Sequence, residues 1–220
     1  MNHEENLKPE SWRWHLLGLV NPVLVITTNM IGGYWVASGL LYMLGVGPLM
    51  DLFLGRAKKT KPPPATGQPF ETLLYAHAIL QCAAILSLIY RASIDGPQWT
   101  TWMAALSTGL CSGASGIIVA HELGHKKPRS VGWWIGRFNL LSVLYLHFTT
   151  EHNVTHHKHV STENDPATAR AGESLWWFVA RTIPGQFRDA AAIPGRKGYG
   201  GFRNPVYWGL ILEVTLVAAM

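Results

Sequence analysis

Seven of the ten histidines fall between positions 121 and 159, at His121, His125, His147, His152, His156, His157 and His159. Two pairs within that set, His121 with His125 and His152 with His156, are spaced by four. On a helix such residues project from one face a turn apart, so each pair can act as a two-point metal clamp. His157 adds a third nitrogen beside the second pair. Neutral imidazole suits zinc, iron, copper or nickel, and no thiolate competes, because Cys82 and Cys111 both lie inside apolar segments. The candidate metal ligands are therefore His121, His125, His152, His156 and His157. His147 stands among apolar residues and His159 leaves the shared face of a helix, while His3, His15 and His77 read as ordinary polar positions. Glu122 and Glu151 each adjoin a ligand; either could accept an imidazole N–H and orient the ring, or could cap a helix in solvent.

Two chemistries fit these residues. The string His121-Glu122-Leu123-Gly124-His125 is an H-E-x-x-H pattern, in which Glu122 would be the general base at a zinc-bound water of an intramembrane protease. A catalytic zinc takes three protein ligands and one open position, whereas five well-spaced histidines occur here within 37 residues, a surplus that suits two metals.

The chain around them has the composition of a membrane protein, with 48% apolar and 14% charged residues among 220. Residues 14 to 50, 72 to 90 and 96 to 120 hold no Asp, Glu, Lys or Arg. A hydrocarbon core about 30 Å thick needs about 20 helical residues, so the first stretch admits two spans and the others one each. The expected architecture is all-α, a polytopic bundle forming one membrane-embedded domain. Residues 16–54 form a helical hairpin broken at Gly32 and Gly33, and 70–120 hold the third and fourth spans. Residues 121–200 form a histidine-rich cytoplasmic cap, and 205–220 start a fifth span.

The acid-rich start, with Glu4, Glu5 and Glu10, lacks the basic region of a signal peptide, so the first apolar stretch reads as a retained anchor. Arg56, Lys58, Lys59 and Lys61 precede a Pro62-Pro63-Pro64 run, and Lys126, Lys127 and Arg129 follow the fourth span. Under the positive-inside rule both segments, the N-terminus and the histidines are cytoplasmic. The net charge of +5 is explained by these short runs, and no nucleic-acid-binding motif accompanies them. Small residues at Gly109, Ser112, Gly113, Ala114, Ser115 and Gly116 predict close packing of the fourth span.

Three segments in order, HELGHKK at 121–127, EHNVTHH at 151–157 and DPATARAGES at 165–174, closely resemble the integral-membrane alkane 1-monooxygenases, a group that includes xylene monooxygenase. The resemblance covers the N-terminal portion of that family. Its later N-Y-x-E-H-Y-G element and R-H-x-D-H-H box are not in this sequence, so four further histidines are expected from a continuation of a fragment that alone is expected to be inactive. What the resemblance implies is a six-span bundle of the bacterial inner membrane. Its two non-haem irons would hydroxylate the terminal methyl of medium-chain alkanes with O2 and electrons from rubredoxin. Hydroxylation like that of xylene monooxygenase is the near alternative, and a non-catalytic membrane metal-binding fragment is the further one. Ile117, one helical turn from His121, with Leu110 and Ala114 on much the same face, is expected to line the alkane path, as are Met43 and Trp35 on the second span. Lys126, Lys127 and Arg129 are expected to dock the acidic electron donor.

Overall fold

A computed structural model describes residues 9–55, 61, 62, 64 and 66–219. Arg56, Lys58, Lys59 and Pro63 of the basic loop lie outside the described residues, as do Glu4, Glu5 and Lys8. Among the described residues there is no strand. Four helices among those residues are long and apolar enough to cross a membrane: α1 (Trp12–Ile31), α2 (Gly33–Leu54), α3 (Gln68–Asp95) and α4 (Trp99–Gly124). Further helices follow: α5 (Val131–Ser142), α6 (residues 148–159), α7 (Leu175–Arg196) and α8 (Pro205–Ala218). Contacts group the chain into two compact units, Met1–Val119 and Ala120–Met220.

In the first unit, apolar length makes the spans and polar side chains tie them together. Val25, Ala84 and Cys111 form a small buried core. Beside it, Asn29 Nδ2 donates to Ser87 Oγ and Thr108 Oγ1, both at 3.1 Å, and Gln81 donates to Ser112 at 2.9 Å. His77 Nδ1 pairs with Ser115 Oγ at 3.0 Å. Apolar surface gives no advantage to helix association within lipid, and interhelical hydrogen bonds of about 0.6–2 kcal/mol each select one arrangement. The break between α1 and α2 falls at Gly32 and Gly33, with φ of 81° and 61°. A Cβ on Gly32 would lie 2.5 Å from the Arg91 guanidinium, which donates to the carbonyls of Asn29 (2.7 Å) and Met30 (2.8 Å) and pairs with Asp95 at 3.0 Å. Glycine at this turn thus makes room for a cation at the open C-terminal end of α1, where free carbonyls favour positive charge. The small-residue span α4 is half buried inside the protein, against 11–28% for the other three.

In the second unit, α5 starts at Ser130, whose hydroxyl accepts from Trp133 N, and α7 starts at Ser174, which accepts from Trp177 N. Ala120, Leu140 and Leu146 form its core. Gly136 of α5 lies so close to the chain bearing His121 that an added Cβ would sit 2.9 Å from Leu123 Cβ. The aromatic start of α7 is exposed at Trp176 and Trp177. Helix α8 has 14 residues, about 21 Å of rise, and does not by itself reach across a hydrocarbon core.

Candidate metal centre

His121 and His125 occupy the last turn of α4 and the residue just after it, and their Nε2 atoms stand 3.3 Å apart. The second segment departs from the four-residue spacing. Residues 152–156 widen into a π-turn, whose repeat brings together residues five apart. His152 consequently pairs with His157, Nε2 to Nε2 at 3.0 Å, while His156 Nδ1 is engaged by Asp165. Ring centroids of His121 and His152 are 4.5 Å apart and those of His125 and His157 5.0 Å. One ligand atom from each of His121, His125, His152 and His157 lies within 4.8 Å of the other three.

The 3.3 Å pair His121–His125 and the 3.0 Å pair His152–His157 each have the separation of two donors on one ion. Metal–imidazole bonds of about 2.1 Å place neighbouring donor nitrogens about 3.0 Å apart at right angles and about 3.4 Å apart in a tetrahedron. The donor set is imidazole throughout, fit for a borderline divalent metal. Burial, then the neighbouring imidazoles of His121, His156, His157 and His125, push His152 down to about 3, which favours its neutral, ligating form. Burial and the rings of His121 and His157 likewise lower His125.

The surrounding residues orient these rings. His121 Nδ1 meets Glu122 Oε1 at 3.0 Å, which leaves its Nε2 on the cluster. His156 keeps its ring 5.0 Å from that of His152, and its Nδ1 meets Asp165 Oδ2 at 2.9 Å, so Nε2 is the atom it can offer a metal. Asp165 is buried. Burial pushes its carboxyl up, but hydrogen bonds from Thr168, Ala167 and His156 outweigh this and hold it below the usual range. The loop carrying Asp165 is clamped in turn by Arg181, which donates to the carbonyls of Pro166 and Thr168 and forms a two-pronged pair with Glu173 at 2.7 and 2.8 Å. Phe148 stacks on His152 at 4.8 Å, and Asn153 Nδ2 donates to Gly124 O, joining the two histidine segments.

Glu151 is not an exposed cap. It is fully buried, and neither carboxylate oxygen has a hydrogen-bond partner among the described residues. Burial, with Asp165 and Asp189 adding repulsion, raises it to about 7. An unpaired buried carboxylate beside an imidazole cluster is the arrangement that a nearby cation would relieve.

Sequence reasoning did not assign roles to Asp165, Arg181, Asn153 or Phe148. The Asp-Pro step at 165–166 marks a turn, but only the fold shows that its carboxylate faces His156. His147 stands apart from the cluster, against Tyr145 and Phe187. Lys127 and Arg129 are exposed on the turn after His125, with Lys126 half-buried beside them. Among the expected alkane-lining residues, Ile117 lies in a π-helical stretch (Gly113–Ile118), where the four-residue stripe toward Leu110 does not hold its face. Met43 is half-buried and Trp35 is 64% exposed.

The family model for fatty acid desaturases matches residues 97–217. Among curated proteins, the chain is 32% identical to an alkane 1-monooxygenase 1 of Alcanivorax borkumensis over 97% of its own length and 56% of that protein's. It is 30% identical to an alkane 1-monooxygenase 1 of Pseudomonas aeruginosa over 94% of its length and 58% of the relative's, and 33% identical to an alkane 1-monooxygenase of Pseudomonas putida over 86% and 52%. The chain thus spans about half the length of the curated relatives it matches. No solved structure is significantly similar to it.

Proposed function

Because the chain belongs to the fatty acid desaturase family and its alkane 1-monooxygenase relatives match nearly all of it, we propose that it takes part in oxygen-dependent hydroxylation of the terminal methyl of medium-chain alkanes. The observation that carries this reading is the gathering of His121, His125, His152 and His157, with one ligand atom of each within 4.8 Å of the others. With His156 these imidazoles would hold two non-haem irons, and iron supplies the O2 chemistry when bound. The chain's own part is to orient: Glu122 and Asp165 fix the tautomers of His121 and His156, and burial lowers His125 and His152 toward the neutral, ligating form.

The electron donor in this reading is rubredoxin, drawn to Lys126, Lys127 and Arg129 at the cytoplasmic face of a bacterial inner membrane. An apolar alkane partitions into the bilayer, and Ile117, Leu110, Met43 and Trp35 on the spans are proposed to contact it. Glu122's bond to His121 favours its service as an orienting group over that of a general base at a zinc.

In the organism that encodes the protein, His121→Ala should abolish conversion of octane to 1-octanol, and Ile117→Phe should shift the preference toward shorter alkanes. Undiminished conversion in His121→Ala would overturn the proposal.

A further inference from the structure

We infer that the second unit carries a binding site for the phosphate headgroup of an anionic membrane lipid, built around Arg137 in a cavity of about 390 Å³ between α5, the turn at Leu146–His147 and the start of α8. That volume lies within the range of ligand sites. Its polar wall consists of Arg137, His147 and Thr150, and its apolar wall includes Trp133, Trp134 and Val206.

Arg137 is the central group. Its guanidinium lies over the Trp133 ring, 5.1 Å from the centroid, and among the described residues it has no hydrogen-bond or ion-pair partner. Five N–H donors in a planar fork are thereby half-buried without an acceptor, and a phosphate oxygen pair matches that fork. Glu213, the carboxylate that shares Arg137's electrostatic field, forms no ion pair with it, and its Oε1 accepts from Leu146 N at 2.6 Å. His147 is 8% exposed and its Nε2 is buried with no partner, a second polar group in this wall that the protein does not satisfy.

The apolar surroundings choose lipid over free phosphate. Val131, Trp134 and Phe138 follow one another along α5 and are 74%, 57% and 55% exposed, a stripe suited to acyl chains beside the opening. A tryptophan pair next to a cation is the composition of a membrane interface, where anionic headgroups are concentrated.

Native mass spectrometry on the detergent-purified chain tests this, with phosphatidylglycerol and phosphatidylcholine of identical acyl chains supplied together. The unsubstituted chain should retain one phosphatidylglycerol in preference to phosphatidylcholine. Arg137→Gln should lower that retention about tenfold or more, and Arg137→Lys by less, because charge persists without the fork. Millimolar inorganic phosphate should leave the lipid in place. Equal retention of the two lipids, unchanged retention in Arg137→Gln, or displacement by inorganic phosphate would each overturn the assignment. The comparison of the two lipids on the unsubstituted chain decides the matter even where Arg137→Gln fails to fold.

Discussion

Replacing Glu151 by glutamine probes the electrostatics of the metal centre from its most unfavourable member. In the metal-free chain the Glu151 carboxyl is held at about 7 in place of its ordinary 4.5. Its folded-state value is raised, so between those two pH values the native state binds more protons than the unfolded one, and stability falls as pH rises. Above pH 7 the full cost of the buried charge is present, about 3 kcal/mol at 1.36 kcal/mol per pH unit. Glu151→Gln keeps the shape and removes the charge. Melted in detergent with a chelator at pH 8, it should be more stable than the unsubstituted chain by about 3 kcal/mol, and below about pH 4.5 the two should coincide. Saturating metal should shrink the gain, because a nearby cation favours the charged carboxylate. A Glu151→Gln chain that is less stable than its parent at pH 8 without metal would show that Glu151 has a compensating partner, and would refute this reasoning.

Three further predictions follow from the same geometry. Asp165→Asn removes the carboxylate that orients His156 and should weaken metal affinity about 10–100-fold in an equilibrium titration; unchanged affinity would place His156 outside the site. Gly136→Ala forces a Cβ to within 2.9 Å of Leu123 Cβ and 3.3 Å of Ala120 O and should destabilise the second unit by about 1–3 kcal/mol, read as a lower melting temperature. Hydrogen bonds from Arg181 and Arg170 N, together with the positive charge of those arginines, hold Glu173 at about 2, below its ordinary value. The stabilisation is therefore present above about pH 4.5 and lost as pH falls toward 2. Proteolysis of the loop before α7 should accelerate on acidification across that window in the parent, and Arg181→Ala should be cleaved fast at every pH; equal, pH-independent cleavage of the two would count against the clamp.

The spans and the histidines were legible in the sequence because both rest on local signals. Charge-free stretches give membrane-crossing helices through length alone, and Gly32-Gly33 breaks the first at the residues where φ turns positive. His121 and His125 meet because an α-helix puts residues four apart on one face. The same rule pairs His152 with His156, whereas the fold pairs His152 with His157, because the helix widens by one residue at 152–156 and composition carries no local mark of a π-turn. Asp165, Arg181 and Phe148 reach the site through tertiary packing, which spacing does not encode. The burial of Glu151 was likewise hidden: a glutamate beside a histidine in a polar stretch reads equally as an imidazole acceptor or as a solvated cap until the elements around it are placed.

The measurement that bears most directly on the centre is iron content by elemental analysis of the purified chain after anaerobic iron loading, compared with His152→Ala. His152 is the ring that touches the rest of the cluster, with centroids of His121, His125, His156 and His157 at 4.5, 5.5, 5.0 and 4.6 Å. Iron retained by the parent and lost from His152→Ala is the expected result. Iron content unaffected by that substitution, or a single tightly held zinc that iron does not replace, would contradict it.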